Sequence, residues 1–270
     1  MAEGSALIYK QTAWTRLTHW IWAISLFFLL LSGLQIFNAH PMLQFGKQSG
    51  FAFDNAFLEI GAETKPNGKA AGFVDINGLR LETTGWLGAF GTSLSPDIRA
   101  FPSSLTIPSG QDLATGRVVH FFFGWVLVIT LLVWGAASLV TGHIRDLAPG
   151  IADFRALPRS IADHARLKFH HERQYNVLQK LAYAGVLFGL FPLIILTGLT
   201  MSPGMNASLP WLVDLFGGRQ TARSLHFLAM LGLSAFFIIH MAMILAAGPL
   251  NEMRSILTGW YRTDPKQGDH

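Results

Sequence analysis

Four histidines, His19, His120, His226 and His240, lie inside long apolar stretches of this 270-residue chain, and the last two share one stretch fourteen residues apart. That spacing is nearly four helical turns, so both imidazoles leave one helix face about 21 Å apart along its axis. Neutral imidazole is a common metal ligand and an axial ligand of haem iron. Ionisable groups at membrane depth are costly and usually functional. Two metal centres stacked across one membrane is the chemistry this spacing permits.

The elements that must position these residues are membrane helices. Hydrophobic residues make up 51% of the chain and charged ones 13%, and the apolar residues bunch into four runs near the roughly 20 residues that a bilayer core demands. The runs cover about 14–37, 118–140, 181–201 and 224–247, and none contains Asp or Glu. Segments such as LVITLLVWGAASLV are apolar all round, as burial in lipid requires. The first run exceeds the apolar core of about 7 to 15 residues found in a secretory signal, and no small-x-small cleavage site follows it, so it reads as a retained helix. The expected fold is an all-α integral membrane four-helix bundle, one domain over 1–270 holding two haems. It has an external loop over 39–116 and a cytoplasmic loop over 141–180.

Orientation follows from Lys and Arg near the membrane ends. Arg145, Arg155, Arg159, Arg166, Lys168, Arg173 and Lys180 lie between the second and third runs, whereas the connection from 202 to 219 carries only Arg219. The basic loop and both termini are therefore expected in the cytoplasm. The net charge of +4 reflects topology rather than affinity for nucleic acid. In the external loop, VDINGLRLE alternates around Asn77-Gly78, the dipeptide best suited to a two-residue hairpin turn, which predicts two short strands. FPSSLTIPSG, with two prolines, reads as extended chain returning to the membrane.

Depth sorts the histidines into two pairs, His120 with His226 on the external side and His19 with His240 on the cytoplasmic side. Each pair can supply both axial nitrogens of a b-type haem. Arg16, Arg117 and Arg223 each precede a membrane histidine by three residues, roughly the same face and one turn nearer the surface. A guanidinium there suits a haem propionate. Gly33 and Gly135 fall fourteen and fifteen residues after His19 and His120. They either give a macrocycle room against the backbone or serve helix packing alone. His40, His143, His164, His170, His171 and His270 fall in loops or at the terminus and read as solvated side chains.

Cysteine is absent, which excludes disulfides, cysteine-ligated iron–sulfur clusters and covalent c-type haem. The runs also lack the carboxylates of a di-iron site or a proton-coupled transporter.

The order of four helices, with histidine in the first and second and a fourteen-residue pair in the fourth, resembles the bacterial cytochrome b561 and nickel-iron hydrogenase cytochrome b superfamily. ATGRVVHFFFGW, YNVLQKLAY, TGLTMSP and NEMRSILTGWY look most like its thiosulfate reductase cytochrome b branch. The resemblance implies a di-haem subunit of the bacterial inner membrane exchanging electrons between quinone and an external catalytic partner, often a molybdopterin enzyme or hydrogenase. It implies His19, His120, His226 and His240 as axial ligands. Tyr175 to Lys180 is similar to a segment beside the quinone in formate dehydrogenase gamma subunits, which points to Asn176 and Gln179 as quinone contacts. This chain has Leu178 where that pattern has glycine. Lys180 in the same segment is either a quinone partner or a membrane-interface anchor.

The reading is a membrane di-haem b-type cytochrome relaying electrons between the quinone pool and an external redox partner, with quinone chemistry the one reaction placed on the chain itself. The alternatives are a stand-alone quinol oxidoreductase passing electrons to superoxide or ferric ions, and a non-redox anchor or transporter.

Overall fold

The computed structural model describes residues 6–50, 55–92, 95–142, 144, 150–166 and 176–263, without the side chains of 151–153, 164 and 165. Tyr175, Arg145, Lys168, Arg173, His143, His170, His171, His270 and the side chain of His164 lie outside that description.

In chain order the elements are β1 (Leu7–Tyr9), α1 (Ala13–Asn38), β2 (Met42–Gln44), β3 (Ala56–Thr64), β4 (Ala70–Ile76), β5 (Leu79–Glu82), β6 (Gly88–Thr92) and β7 (Ser95–Arg99). Then follow α2 (Leu113–Thr141), α3 (Ile151–Ala165), α4 (Val177–Ala184), α5 (Phe191–Met201), α6 (Pro203–Ser208), α7 (Trp211–Leu215), α8 (Arg219–Ala247), α9 (Pro249–Thr258) and β8 (Trp260–Arg262). A π-helical turn at Gly185–Leu190 joins α4 to α5.

Four helices are long and apolar enough to cross a bilayer: α1, α2, α8 and the composite Val177–Met201. Their lengths of 25 to 29 residues give about 38 to 44 Å, more than the hydrocarbon core of about 30 Å. The chain is a multi-pass membrane protein. Along the spans large apolar side chains such as Phe122, Leu132, Val140, Ile238 and Leu245 are exposed, and the buried positions mix apolar residues such as Leu127, Trp134 and Leu233 with Thr18, Ser25, Ser32, Gln35, Ser138, Thr197, Thr200 and Ser224. Lipid is as apolar as a leucine side chain, so it does not drive apolar residues inward, and small hydroxyl residues let helices approach and hydrogen-bond. Thr18, Ser25 and Ser32 recur every seven residues on the buried face of α1.

The chain forms two compact units. The sheet-bearing unit comprises 23–128 and 193–230. It holds a four-stranded antiparallel sheet in the order β2-β3-β4-β5 and a separate β6-β7 pair. The expected hairpin is present, with Ile76 opposite Leu79 and φ of 50° at Asn77 and 85° at Gly78, as a primed turn needs. It is one part of a larger β region. Leu43 and Ile60 form a core with Phe37 at the end of α1 and Ala100, so this region is fastened to a membrane helix. FPSSLTIPSG is not the expected extended chain: it holds a 3-10 turn at Ser103–Leu105, bends over residues 106–110 and has a cis bond between Ile107 and Pro108.

The terminal unit comprises 1–22, 129–192 and 231–270. Here β1 and β8 pair as an antiparallel ribbon from Leu7↔Arg262 to Tyr9↔Trp260. The third span begins at Val177, four residues before the apolar run, because Asn176 caps it. The Asn176 side chain accepts from the Leu178 N–H at 3.0 Å, and the Gln179 side chain accepts from the Asn176 N–H at 3.1 Å. That reciprocal box satisfies backbone donors at the helix start.

Candidate functional site: two histidine pairs

In the sheet-bearing unit, α2 presents His120 and α8 presents His226, with ring centres 6.2 Å apart and planes inclined by 60°. Metal–nitrogen bonds of about 2 Å, plus about 1.1 Å from each nitrogen to its ring centre, put two imidazoles on one ion about 6 Å apart. The pair has that separation.

The surroundings also choose which nitrogen is free. The Ser32 hydroxyl donates to the Phe28 carbonyl at 2.6 Å, so its oxygen accepts from His120 Nδ1–H at 3.1 Å. The Thr197 hydroxyl likewise donates to the Leu193 carbonyl at 2.7 Å and accepts from His226 Nδ1–H at 3.1 Å. The Ile194 carbonyl accepts from the same nitrogen at 2.9 Å. A proton held on Nδ1 leaves the Nε2 lone pair for a metal, the usual outer arrangement around a ligating histidine.

Each hydroxyl is followed by a glycine against which the imidazole rests. A Cβ at Gly33 would lie 3.3 Å from His120 Cε1, and one at Gly198 would lie 3.2 Å from His226 Cε1. Ser32-Gly33 and Thr197-Gly198 are thus the same device used twice: a hydroxyl that sets the tautomer and a bare backbone that admits the ring. Gly33 thus makes room for the His120 imidazole. At Gly135 an added Cβ would meet nothing within 4 Å.

In the terminal unit, His19 of α1 and His240 of α8 have ring centres 6.5 Å apart and planes inclined by 54°. Phe236 stacks on His240 at 5.6 Å, and Trp20 meets His19 edge-on at 5.5 Å. The spacing suits one ion as well as the first pair does. The outer shell differs, because His19 Nδ1 is buried with no hydrogen-bond partner among the described residues. The two pairs fit two bis-imidazole metal centres of unequal surroundings.

Each expected arginine sits one turn from its histidine. Arg16 donates to the Leu257 carbonyl at 2.6 Å, Arg223 donates to the His40 carbonyl, and Arg117 lies 5.7 Å from the Phe121 ring centre. His40 is half-buried rather than freely solvated. Burial and the Arg223 charge hold its pKa below the ordinary value, against a hydrogen bond to Gln44. Asn176 and Gln179 are engaged in the cap of α4, where Ser160 also donates to the Asn176 side-chain Oδ1 at 2.6 Å.

Sequence reasoning found the four imidazoles and missed Ser32, Thr197 and Gly198. Their signal is the shared hydroxyl-Gly-Leu triplet, Ser32-Gly33-Leu34 and Thr197-Gly198-Leu199.

The family model described as prokaryotic cytochrome b561 matches residues 10–259. A relative from Azospira oryzae, described as a putative protein-methionine-sulfoxide reductase subunit YedZ1, is 24% identical over 234 residues, covering 86% of this chain and 87% of the relative. Its description is not that of the thiosulfate reductase branch expected from the sequence segments. No solved structure matches.

Proposed function

The chain belongs to the prokaryotic cytochrome b561 family, and from that premise we propose that it is the di-haem membrane subunit carrying electrons between quinone and an external reductase subunit. It is a membrane electron-transfer cytochrome of b type; the number of haems, their ligands, the quinone and the partner are the proposal. The observation that carries it is the pair of imidazole separations, 6.2 and 6.5 Å.

His120 and His226 hold one haem toward the external side, and His19 and His240 hold the other toward the cytoplasm. A bis-imidazole haem b supplies reversible one-electron exchange with no open iron position. Ser32 and Thr197 keep the proton on Nδ1 of their histidines and so fix both rings as Nε2 ligands. Arg16, Arg117 and Arg223 stand where a guanidinium can neutralise a propionate. Two of the three are held by backbone carbonyls, which sets their heads before any carboxylate arrives.

A quinone carbonyl needs N–H or O–H donors at an interface. The cap of α4 uses the amide oxygens of Asn176 and Gln179, so these side chains offer quinone their NH2 groups as donors. The basic side chains of the 141–180 loop support a cytoplasmic position for this end. The β region between α1 and α2 then lies on the external face of the membrane as the docking surface. The relative's description as a protein-methionine-sulfoxide reductase subunit favours an external reductase partner over a stand-alone oxidase. A molybdopterin enzyme is the partner class that the sequence resemblance suggests.

Purified protein mixed anaerobically with a quinol should develop the reduced b-type spectrum, and Asn176→Leu with Gln179→Leu should slow that step while leaving dithionite reduction intact. A colourless protein would overturn the cytochrome reading. A protein reduced by dithionite but never by quinol would overturn the quinone site.

A further inference from the structure

The helix α9 is built inside out. Leu250 is 88% exposed and Leu257 56% exposed, with exposed Met253 between them. Spaced at i, i+3 and i+7, the three share one stripe. Polar groups face the protein instead. Asn251 donates to the Arg262 carbonyl and accepts from the Arg262 N–H, both at 2.9 Å. The Tyr261 hydroxyl donates to Glu252 at 3.1 Å, and Ser255 is buried. Water would select the opposite arrangement.

The position of α9 says what covers the stripe. Only Gly248, at φ of 108°, separates it from the span α8, so it starts where that span leaves the bilayer. Leu245 and Met241 on the last turns of α8 are exposed apolar side chains of the same lipid-facing kind. Beyond α9, Trp260 packs edge-on against Tyr9 at 5.5 Å. Both rings are partly exposed, as is Leu7 beside them. Amphipathic aromatic rings collect at headgroup depth, and the exposed Arg262 in the same ribbon matches anionic headgroups.

We infer that α9 and the β1–β8 ribbon form an interfacial anchor whose apolar stripe is seated at the boundary between lipid headgroups and acyl chains. The Leu257 carbonyl receives Arg16, three residues before His19, so the anchor is tied directly to the membrane-entry turn of α1. This inference rests on the membrane reading and is independent of haem binding.

The absence of cysteine makes the test direct. Leu250→Cys, Met253→Cys and Leu257→Cys are each spin-labelled in full-length protein in liposomes containing anionic lipid, with Leu245→Cys as the lipid-facing reference and Lys69→Cys in the β3–β4 turn as the aqueous one. Collision with oxygen relative to a water-soluble nickel chelate should be several-fold higher at the three stripe positions than at Lys69→Cys and close to that at Leu245→Cys. A water-like ratio would overturn the anchor. Low access to both reagents would overturn it too, because it places another protein surface or a second copy on the stripe.

Discussion

Adding one methyl group at Gly198 should weaken the external haem while the same change at Gly135 should not. The Cβ of Gly198→Ala would stand 3.2 Å from Cε1 and 3.6 Å from Nδ1 of His226. Ordinary carbon contacts are about 3.5–4.0 Å, so the ring must retreat by a few tenths of an ångström. It cannot retreat freely, because Nδ1 is held by Thr197 at 3.1 Å and Ile194 at 2.9 Å. Overpacking of this kind costs about 1–3 kcal/mol. At about 1.4 kcal/mol per tenfold, haem affinity at that site should fall roughly 5- to 150-fold. Gly33→Ala, with its Cβ 3.3 Å from His120 Cε1, should act alike on the same haem. The assay is haem loss to an excess of a haem-scavenging apoprotein, followed by b-band absorbance, with Gly135→Ala as the control. Equal haem retention in Gly198→Ala, Gly33→Ala and Gly135→Ala would refute the argument that these glycines seat the imidazoles.

Ser32→Ala leaves His120 Nδ1–H without its hydroxyl acceptor and lowers the basicity of the ligand. If about 1 kcal/mol of that hydrogen bond depends on redox state, the external haem should rise by about 40 mV in a redox titration. Thr197→Val should shift it by a similar amount, since a backbone carbonyl stands behind each hydroxyl, Leu29 at His120 and Ile194 at His226. His40 keeps a pKa below its ordinary 6.5, so the unfolded chain takes up its proton first as pH falls; stability present above about 6.5 should decline on acidification below it. Thermal melts at pH 7.5 and 5.5 measure this, and His40→Gln should remove that share of the difference. Gly78→Ala puts a Cβ at a φ of 85° and should destabilise the β4–β5 hairpin by about 1 kcal/mol, read as faster amide exchange there with an unchanged haem spectrum.

The spans and their histidines were legible because lipid imposes a simple rule: a helix with no water on any face must be apolar all round, so a buried imidazole stands out. The Asn77-Gly78 hairpin was legible for a local reason, since its backbone angles suit few other dipeptides. The pairing of β2 with β3 and of β6 with β7 was not, because short strands rich in glycine and alanine such as GAFGT carry little two-residue alternation. The third span starts early because a polar cap, not an apolar residue, sets its boundary. Gly135 and Gly33 looked alike by spacing, and only the packed helices distinguish them. The hydroxyls of Ser32 and Thr197 were hidden because either could have bonded solely to its own helix. Their second contact needs the neighbouring helix in place.

The most direct test is haem stoichiometry in three forms of the purified protein, by pyridine haemochrome with a reduced-minus-oxidised spectrum. Wild-type protein should carry two b haems per chain. His226→Ala should lose the one shared with His120, and His240→Ala the one shared with His19, each leaving the other spectrally intact. Full retention of both haems in either variant would contradict the assignment of that histidine as an axial ligand.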